Sequence, residues 1–273
     1  MQQSKPLDLG IPALLGIPFD AHSSYLRGPA LAPPLIRDAF HCDASNSWTE
    51  TGVNLETADI FADAGDLMLA QDISAFEVIE KAVGELLDKG QRVVSLGGDH
   101  SVTYPIVRAF GKRFPDLTIV HFDAHPDLYE EFGGNRYSHA CPFARIMEER
   151  CAKRLIQLGI RTINQHQREQ AARFGVEILE MRDLPATEKL KLTGPVYISF
   201  DIDVLDPAFA PGISHREPGG MSVREAITHL HAITGTIVGA DLVEYNPQQD
   251  VPRLTATVCA KLLKEILGKM IAG

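Results

Sequence analysis

The chain has 273 residues, 45% of them hydrophobic and 23% charged, with a formal net charge of −10. This is the balance of a globular protein with a large core, and its sign excludes the basic surface that nucleic acid or an anionic membrane would require. The four cysteines, Cys42, Cys141, Cys151 and Cys259, form no C-x-x-C pair and read as packing residues of a cytoplasmic protein, and no segment reads as a signal peptide or membrane span.

The first element expected is a strand at PALLGIPFD (12–20), running out into a loop of small and polar residues. DISAFEVIEKAVGELLDKG (72–90) places Ile73, Phe76, Ile79, Val83 and Leu86 at helical spacing, and Gly90 supplies the stop. A strand at RVVSLGGDH (92–100) leads into a helix at SVTYPIVRAFGKRF, and LTIVHFDAH (117–125) is the next strand. HACPFARIMEER (139–150) reads as helix, RLIQLGI (154–160) as strand and NQHQREQAARFG (164–175) as helix. PVYISFD (195–201), SVREAITHLHAI (222–233) and TIVGADLVE (236–244) continue as strand, helix and strand before a C-terminal helix. Strands apolar on both faces and each followed by a helix predict a parallel sheet covered on both sides. No repeat or linker interrupts residues 1–273, so one α/β domain is expected.

In such sheets ligands gather at the carboxyl ends of the strands, and there the sequence repeats itself. One strand ends in GGDH with His100, another in DAHPD with Asp123, His125 and Asp127, a third in DID with Asp201 and Asp203, and a fourth in Glu244. Side chains two apart on an extended segment point the same way, so Asp123 with His125, and Asp201 with Asp203, are expected to aim at one spot. A lone D-x-D after a strand is usually a turn and cap; three such motifs together predict a metal centre. Two histidines and four aspartates are hard donors suited to Mn²⁺ or a similar ion, and four buried carboxylates need two divalent charges to offset them. His121 shares the parity of Asp123 and reads as a packing or supporting residue. His22, in the early loop, is a candidate substrate contact.

Taken together, GGDHS (97–101), DAHPD (123–127), SFDIDVLDPAFAPG (199–212) and Glu244, preceded by GIPFDAHSSYLRGPALAPPLIRDAF (16–40), resemble the ureohydrolases, the family of arginase and agmatinase. The resemblance covers nearly the whole chain. It implies an arginase-like three-layer α/β/α sandwich and two Mn²⁺ ions bridged by hydroxide. It implies that His100 and Asp127 serve one ion, that His125 and Asp203 serve the other, and that Asp123 and Asp201 bridge both. His139 would transfer a proton and Glu244 would accept a guanidinium, so that Asp127, His139 and Glu244 form the catalytic set. A homo-oligomer, trimer or hexamer, is also implied.

Two departures bear on the substrate. The loop LYEEFGGNRYSHA (128–140) lacks the Thr/Ser/Asn-rich run with which arginases hold an amino-acid tail, and it carries Glu130 and Glu131. After Pro211 the chain reads GISHRE (212–217), keeping Glu217 but placing His215 and Arg216 where agmatinases carry Thr and Pro. The expectation is a small cationic guanidino substrate, agmatine first, cleaved to urea and an amine, with Glu217 and His215 near its tail. Guanidinobutyrase, arginase, formiminoglutamase and a binuclear metal hydrolase of another kind are the alternatives.

Overall fold

The computed structural model describes residues 9–185, 187–251 and 253–273. Its centre is one eight-stranded sheet: β1 (Pro12–Gly16), β2 (Ala62–Asp66), β3 (Arg92–Leu96), β4 (Thr118–Phe122), β5 (Arg154–Ile160), β6 (Glu177–Glu180), β7 (Pro195–Asp201) and β8 (Thr236–Val243). The order is β2-β1-β3-β8-β7-β4-β5-β6, and every pairing is parallel.

Alternation along each strand divides the core in two. Val94, Val120, Ile198 and Ala240 face one layer, where they meet α1 (Ala32–Phe40), α6 (Val223–Ala232) and α7 (Leu254–Ala272). Val93, Ile119, Tyr197 and Val238 face the other, with α2 (Ala75–Asp88), α3 (Thr103–Arg113), α4 (Pro142–Glu148) and α5 (Gln165–Phe174). The arrangement is the three-layer α/β/α sandwich. Its helices carry conventional ends: Ser222 and Glu225 form a capping box on α6, and Asn164 caps α5, which Gly175 closes in the left-handed conformation.

Three elements have no counterpart in the sequence reading: α1, β2 and β6. β2 has four exposed residues of five, and β6 is only half buried, so neither edge strand carries an apolar run. In α2 the buried stripe is Phe76, Ile79, Val83 and Leu87, while Ile73 precedes the helix and is half exposed. The cysteines also divide. Cys141 and Cys259 are buried packing residues, but Cys42 is exposed, contrary to expectation.

The order of the strands places the site. After β3 the chain skips two positions to lay down β4, and β8 and β7 later fill the gap. β3, β8, β7 and β4 are therefore neighbours at the middle of the sheet, and their carboxyl ends open at the crevice where ligands bind in such sheets.

Candidate metal centre and active site

His100 reaches the crevice through a turn that only glycine permits. Gly97 and Gly98 have φ of 76° and 90°, and a Cβ on Gly98 would lie 3.0 Å from the carbonyl oxygens of Ile17 and Phe19. Asp99 then caps a short 3₁₀ turn (His100–Val102), its Oδ1 accepting from the Ser101 amide at 3.1 Å.

The D-x-H and D-x-D motifs converge by a different route from the one the sequence suggests. Neither remains extended. Asp123 Oδ1 accepts from the His125 amide at 2.6 Å, and Asp201 Oδ1 accepts from the Asp203 amide at 2.7 Å. Each first carboxylate thus folds its own chain into a tight turn that brings the second side chain round to the same side. Turn formation and site formation are one event here. Asp206, the third carboxylate of this segment, turns away and accepts from the amides of Ala208 and Gly219.

The result is a buried cluster. His100 Nδ1 lies 3.2 Å from Asp123 Oδ2, 3.0 Å from Asp127 Oδ2 and 3.1 Å from Asp201 Oδ2. His125 Nδ1 lies 3.0 Å from Asp203 Oδ2 and 3.4 Å from Asp123 Oδ1. Asp123 stands between the two histidines. Among the described residues, Asp123, His125 and Asp203 bring ligand atoms within 4.8 Å of one another, as do His100, His121 and Asp123.

His121 is nevertheless committed elsewhere. Gln157 donates to its Nδ1 at 3.0 Å and its Nε2 donates to Asp123 Oδ2 at 2.8 Å, so both ring nitrogens are already engaged, one of them on that carboxylate. Burial drives its pKa down to about 4, which keeps it neutral.

The charges in the cluster ask for a cation. Burial, with Asp203 and Asp123 adding to it, holds Asp201 well above the usual carboxylate range. Burial and the Asp123 charge push Asp127 up to about 6. Burial alone would lower His100, yet the carboxylates of Asp123, Asp127 and Asp201 outweigh it and raise the imidazole well above its ordinary value. The ring's orientation explains why. Its Nε2 faces Ser199 Oγ at 3.1 Å, and that hydroxyl donates to buried Asp241 at 2.8 Å. This relay leaves Nδ1 aimed at three carboxylates, buried and without a hydrogen-bond partner. Such a nitrogen needs a proton or a metal ion in front of it. The donor set fits the ion: hard oxygens with two imidazoles, arranged as two sites that share Asp123.

Beside the cluster lies a cavity of about 160 Å³. Asp127, Asp201, Asp203 and His125 form its floor, and Glu244, His139, His215 and Ser24 are among its walls. Glu244 follows β8 at φ 64° and Asp127 sits at φ 51°, both rare for residues with a side chain. Glu244 Oε1 accepts from the His100 amide at 2.9 Å and lies 2.8 Å from His139 Nδ1. Burial opposes charge on His139, but Glu244 outweighs it and raises the imidazole to about 9. Glu217 stands at the rim, its Oε1 3.8 Å from His125 Nε2.

The Asp–His cluster, His139, His215 and Glu244 are therefore brought to one crevice, and three finer points change. Glu130 and Glu131 are exposed and line no part of the cavity, to which their loop contributes Tyr129, Phe132, His139 and Ala140 instead. Arg216 turns to the Pro211 carbonyl and the Gln249 side chain. His22 holds Asn135 through its Nδ1 at 3.0 Å. Ser24, Asp99 and Ser199 lie inside the motifs quoted above but carry no ligand pattern of their own, and Gln157 and Asp241 lie in plain strands, so none of the five was legible as part of the site.

Residues 12–268 match the model of the arginase family. The chain belongs to that family. It is 48% identical to mitochondrial arginase 1 of Arabidopsis thaliana, over 94% of this chain and 80% of the relative. Agmatinase of Bacillus subtilis is 36% identical, over 93% of this chain and 90% of that protein. The solved structure of arginase from Medicago truncatula superposes with a TM-score of 0.91 at 45% identity, covering 96% of this chain and 87% of that one. As a ureohydrolase of the arginase family, the chain carries the family's α/β fold. Among its described residues, no helix is long and apolar enough to cross a membrane.

Proposed function

We propose that this ureohydrolase cleaves the guanidino group of arginine, releasing urea and ornithine, at the cavity between the Asp–His cluster and Glu244. The observation that carries the reaction class is a buried carboxylate, Glu244, hydrogen-bonded to His139 on the wall of a cavity whose floor is the cluster. His100, Asp123, Asp127 and Asp201 would hold one divalent ion, and His125, Asp203, Asp123 and Asp201 the other, with Mn²⁺ favoured by the oxygen and imidazole donors. When bound, the pair supplies the charge that lets a water act as nucleophile near neutral pH.

The remaining work falls to this chain's own side chains. A guanidinium is a delocalised cation and a poor electrophile, so it must be held in line, and Glu244 is the acceptor suited to that. Occupancy of Glu244 by a second cation weakens its hold on the His139 proton. His139 then becomes a better acid at the moment the leaving amine needs a proton. Tyr129 and Phe132 add aromatic faces to the cavity lining.

Arginine is placed first because the arginases in the comparisons are the nearer relatives, at 48% against 36% identity for the agmatinase. The case for agmatine from Glu130 and Glu131 loses its force, since neither faces the cavity. Glu217 at the rim favours agmatine as the second reading, because a carboxylate there suits an ammonium tail better than a zwitterion. The four free cysteines support a reducing compartment, which we propose is the cytoplasm. Urea or formamide release from arginine, agmatine, 4-guanidinobutyrate and formiminoglutamate decides the substrate. The largest kcat/KM is expected for arginine; agmatine ahead by tenfold would select the second reading, and no release from any of them would refute the reaction.

A further inference from the structure

The segment Asp20–Ser24 leaves β1 and folds over the mouth of the cavity, where it meets His139 twice. The His22 carbonyl accepts from the His139 amide at 3.1 Å, and Ser24 Oγ lies 2.8 Å from His139 Nε2. The segment is itself anchored. Buried Asp99 accepts from the His22 amide at 3.0 Å and from Ser23 Oγ at 3.2 Å, while its other oxygen caps the turn that presents His100. One carboxylate therefore ties the part of the chain that presents His100 to the part that holds His139.

The imidazole of His139 is thus gripped at both nitrogens by groups of different character. Glu244 is an acceptor, so Nδ1 must carry a hydrogen. The partner at Nε2 is a hydroxyl, which can donate to a neutral ring and accept from a charged one by rotating its own hydrogen. A carboxylate at that place would lock the ring as a cation. Ser24 is exposed while His139 is buried, so this hydrogen bond joins the buried ring to a residue at the surface.

We propose that Ser24 is a positioning residue for His139, holding the ring at Nε2 so that the Nδ1–H fixed by Glu244 keeps one direction, toward Glu244 and the reacting amine. The proposal rests on the proton-transfer role given to His139 above. Ser24 touches neither the Asp–His cluster nor Glu244 through any hydrogen bond among the described residues, so its effect passes through the imidazole.

The test is a double-mutant cycle with a spectroscopic arm. Ser24→Ala should lower kcat for urea release by about tenfold, the scale of a misaligned proton donor, with KM and bound metal unchanged. Ser24→Thr, which keeps the hydroxyl, should restore turnover to near wild type. In a His139→Asn background, Ser24→Ala should cause no further loss. Nitrogen-15 NMR of histidine-labelled protein without added manganese should show His139 Nε2 with the shift of a hydrogen-bonded nitrogen in the wild type and a displaced, broadened Nε2 signal in Ser24→Ala. Unchanged turnover together with unchanged nitrogen shifts would overturn the proposal, as would an equal loss in the His139→Asn background. If the wild type releases no urea, the functional reading fails by itself, and the nitrogen shifts still decide whether Ser24 holds the ring.

Discussion

His139 Nδ1 and Glu244 Oε1 lie 2.8 Å apart in a buried pair, although 105 positions separate them in the chain. One comes from the loop before α4 and the other from the end of β8. Their pairing raises His139 to about 9 against the burial that would lower it, and lowers Glu244 against the burial that would raise it. A histidine whose folded pKa is raised stabilises the protein fully below its unfolded value, near 6.5, and that contribution is lost as pH rises through about 9. The melting temperature of the wild type should therefore exceed that of His139→Asn at pH 6.5, and the gap should close by pH 10. Thermal melts at both pH values measure it, and a gap independent of pH would show that the pair carries no charge.

The same substitution separates the two roles open to a histidine beside a metal cluster. His139→Asn should lower turnover by roughly 10²–10⁴-fold, the usual worth of a general acid, with metal content unchanged. Loss of metal along with activity would make His139 a ligand.

Asp201 makes the opposite prediction for the protein stripped of metal. It is buried against Asp203 and Asp123 and held well above the usual carboxylate range. In excess chelator, Asp201→Asn should be more stable than the wild type by about 1 kcal/mol, as expected when a buried repulsive charge is removed. That is a rise of roughly 2–4 °C in melting temperature. With Mn²⁺ added the order should reverse, because the wild type gains binding energy that the variant lacks. A variant less stable in both conditions would mean that the aspartate holds the fold together by itself.

Gly98 tests how the site is presented. At φ 90°, with Ile17 and Phe19 carbonyls 3.0 Å from any added Cβ, Gly98→Ala should cost about 1–3 kcal/mol. It should also move His100 and weaken metal binding. A chemical-denaturation midpoint equal to wild type would contradict the strain argument.

How much of this could be read beforehand follows physical lines. β3, β4, β5, β7 and β8 announce themselves because buried parallel strands must be apolar on both faces. β2 and β6 lie at the edges, where solvent replaces that demand, and ADAGD reads as loop. The cluster residues were legible because their side-chain types recur at strand ends. How they converge was not, since D-x-H and D-x-D look extended until each aspartate caps its own turn. Ser24, Gln157 and Asp241 were illegible because their value comes from partners 36 to 115 positions away. Glu130 and Glu131 misled for the same reason: sequence proximity to Asp127 did not turn them into the cavity.

On the proposed function the chain folds around a pair of adjoining cation sites that share Asp123. Elemental analysis of Mn²⁺-loaded, desalted protein tests it most directly. Two ions per chain are expected in the wild type and nearly none in Asp201→Ala; a fully active wild type retaining a single ion would rule out the paired sites.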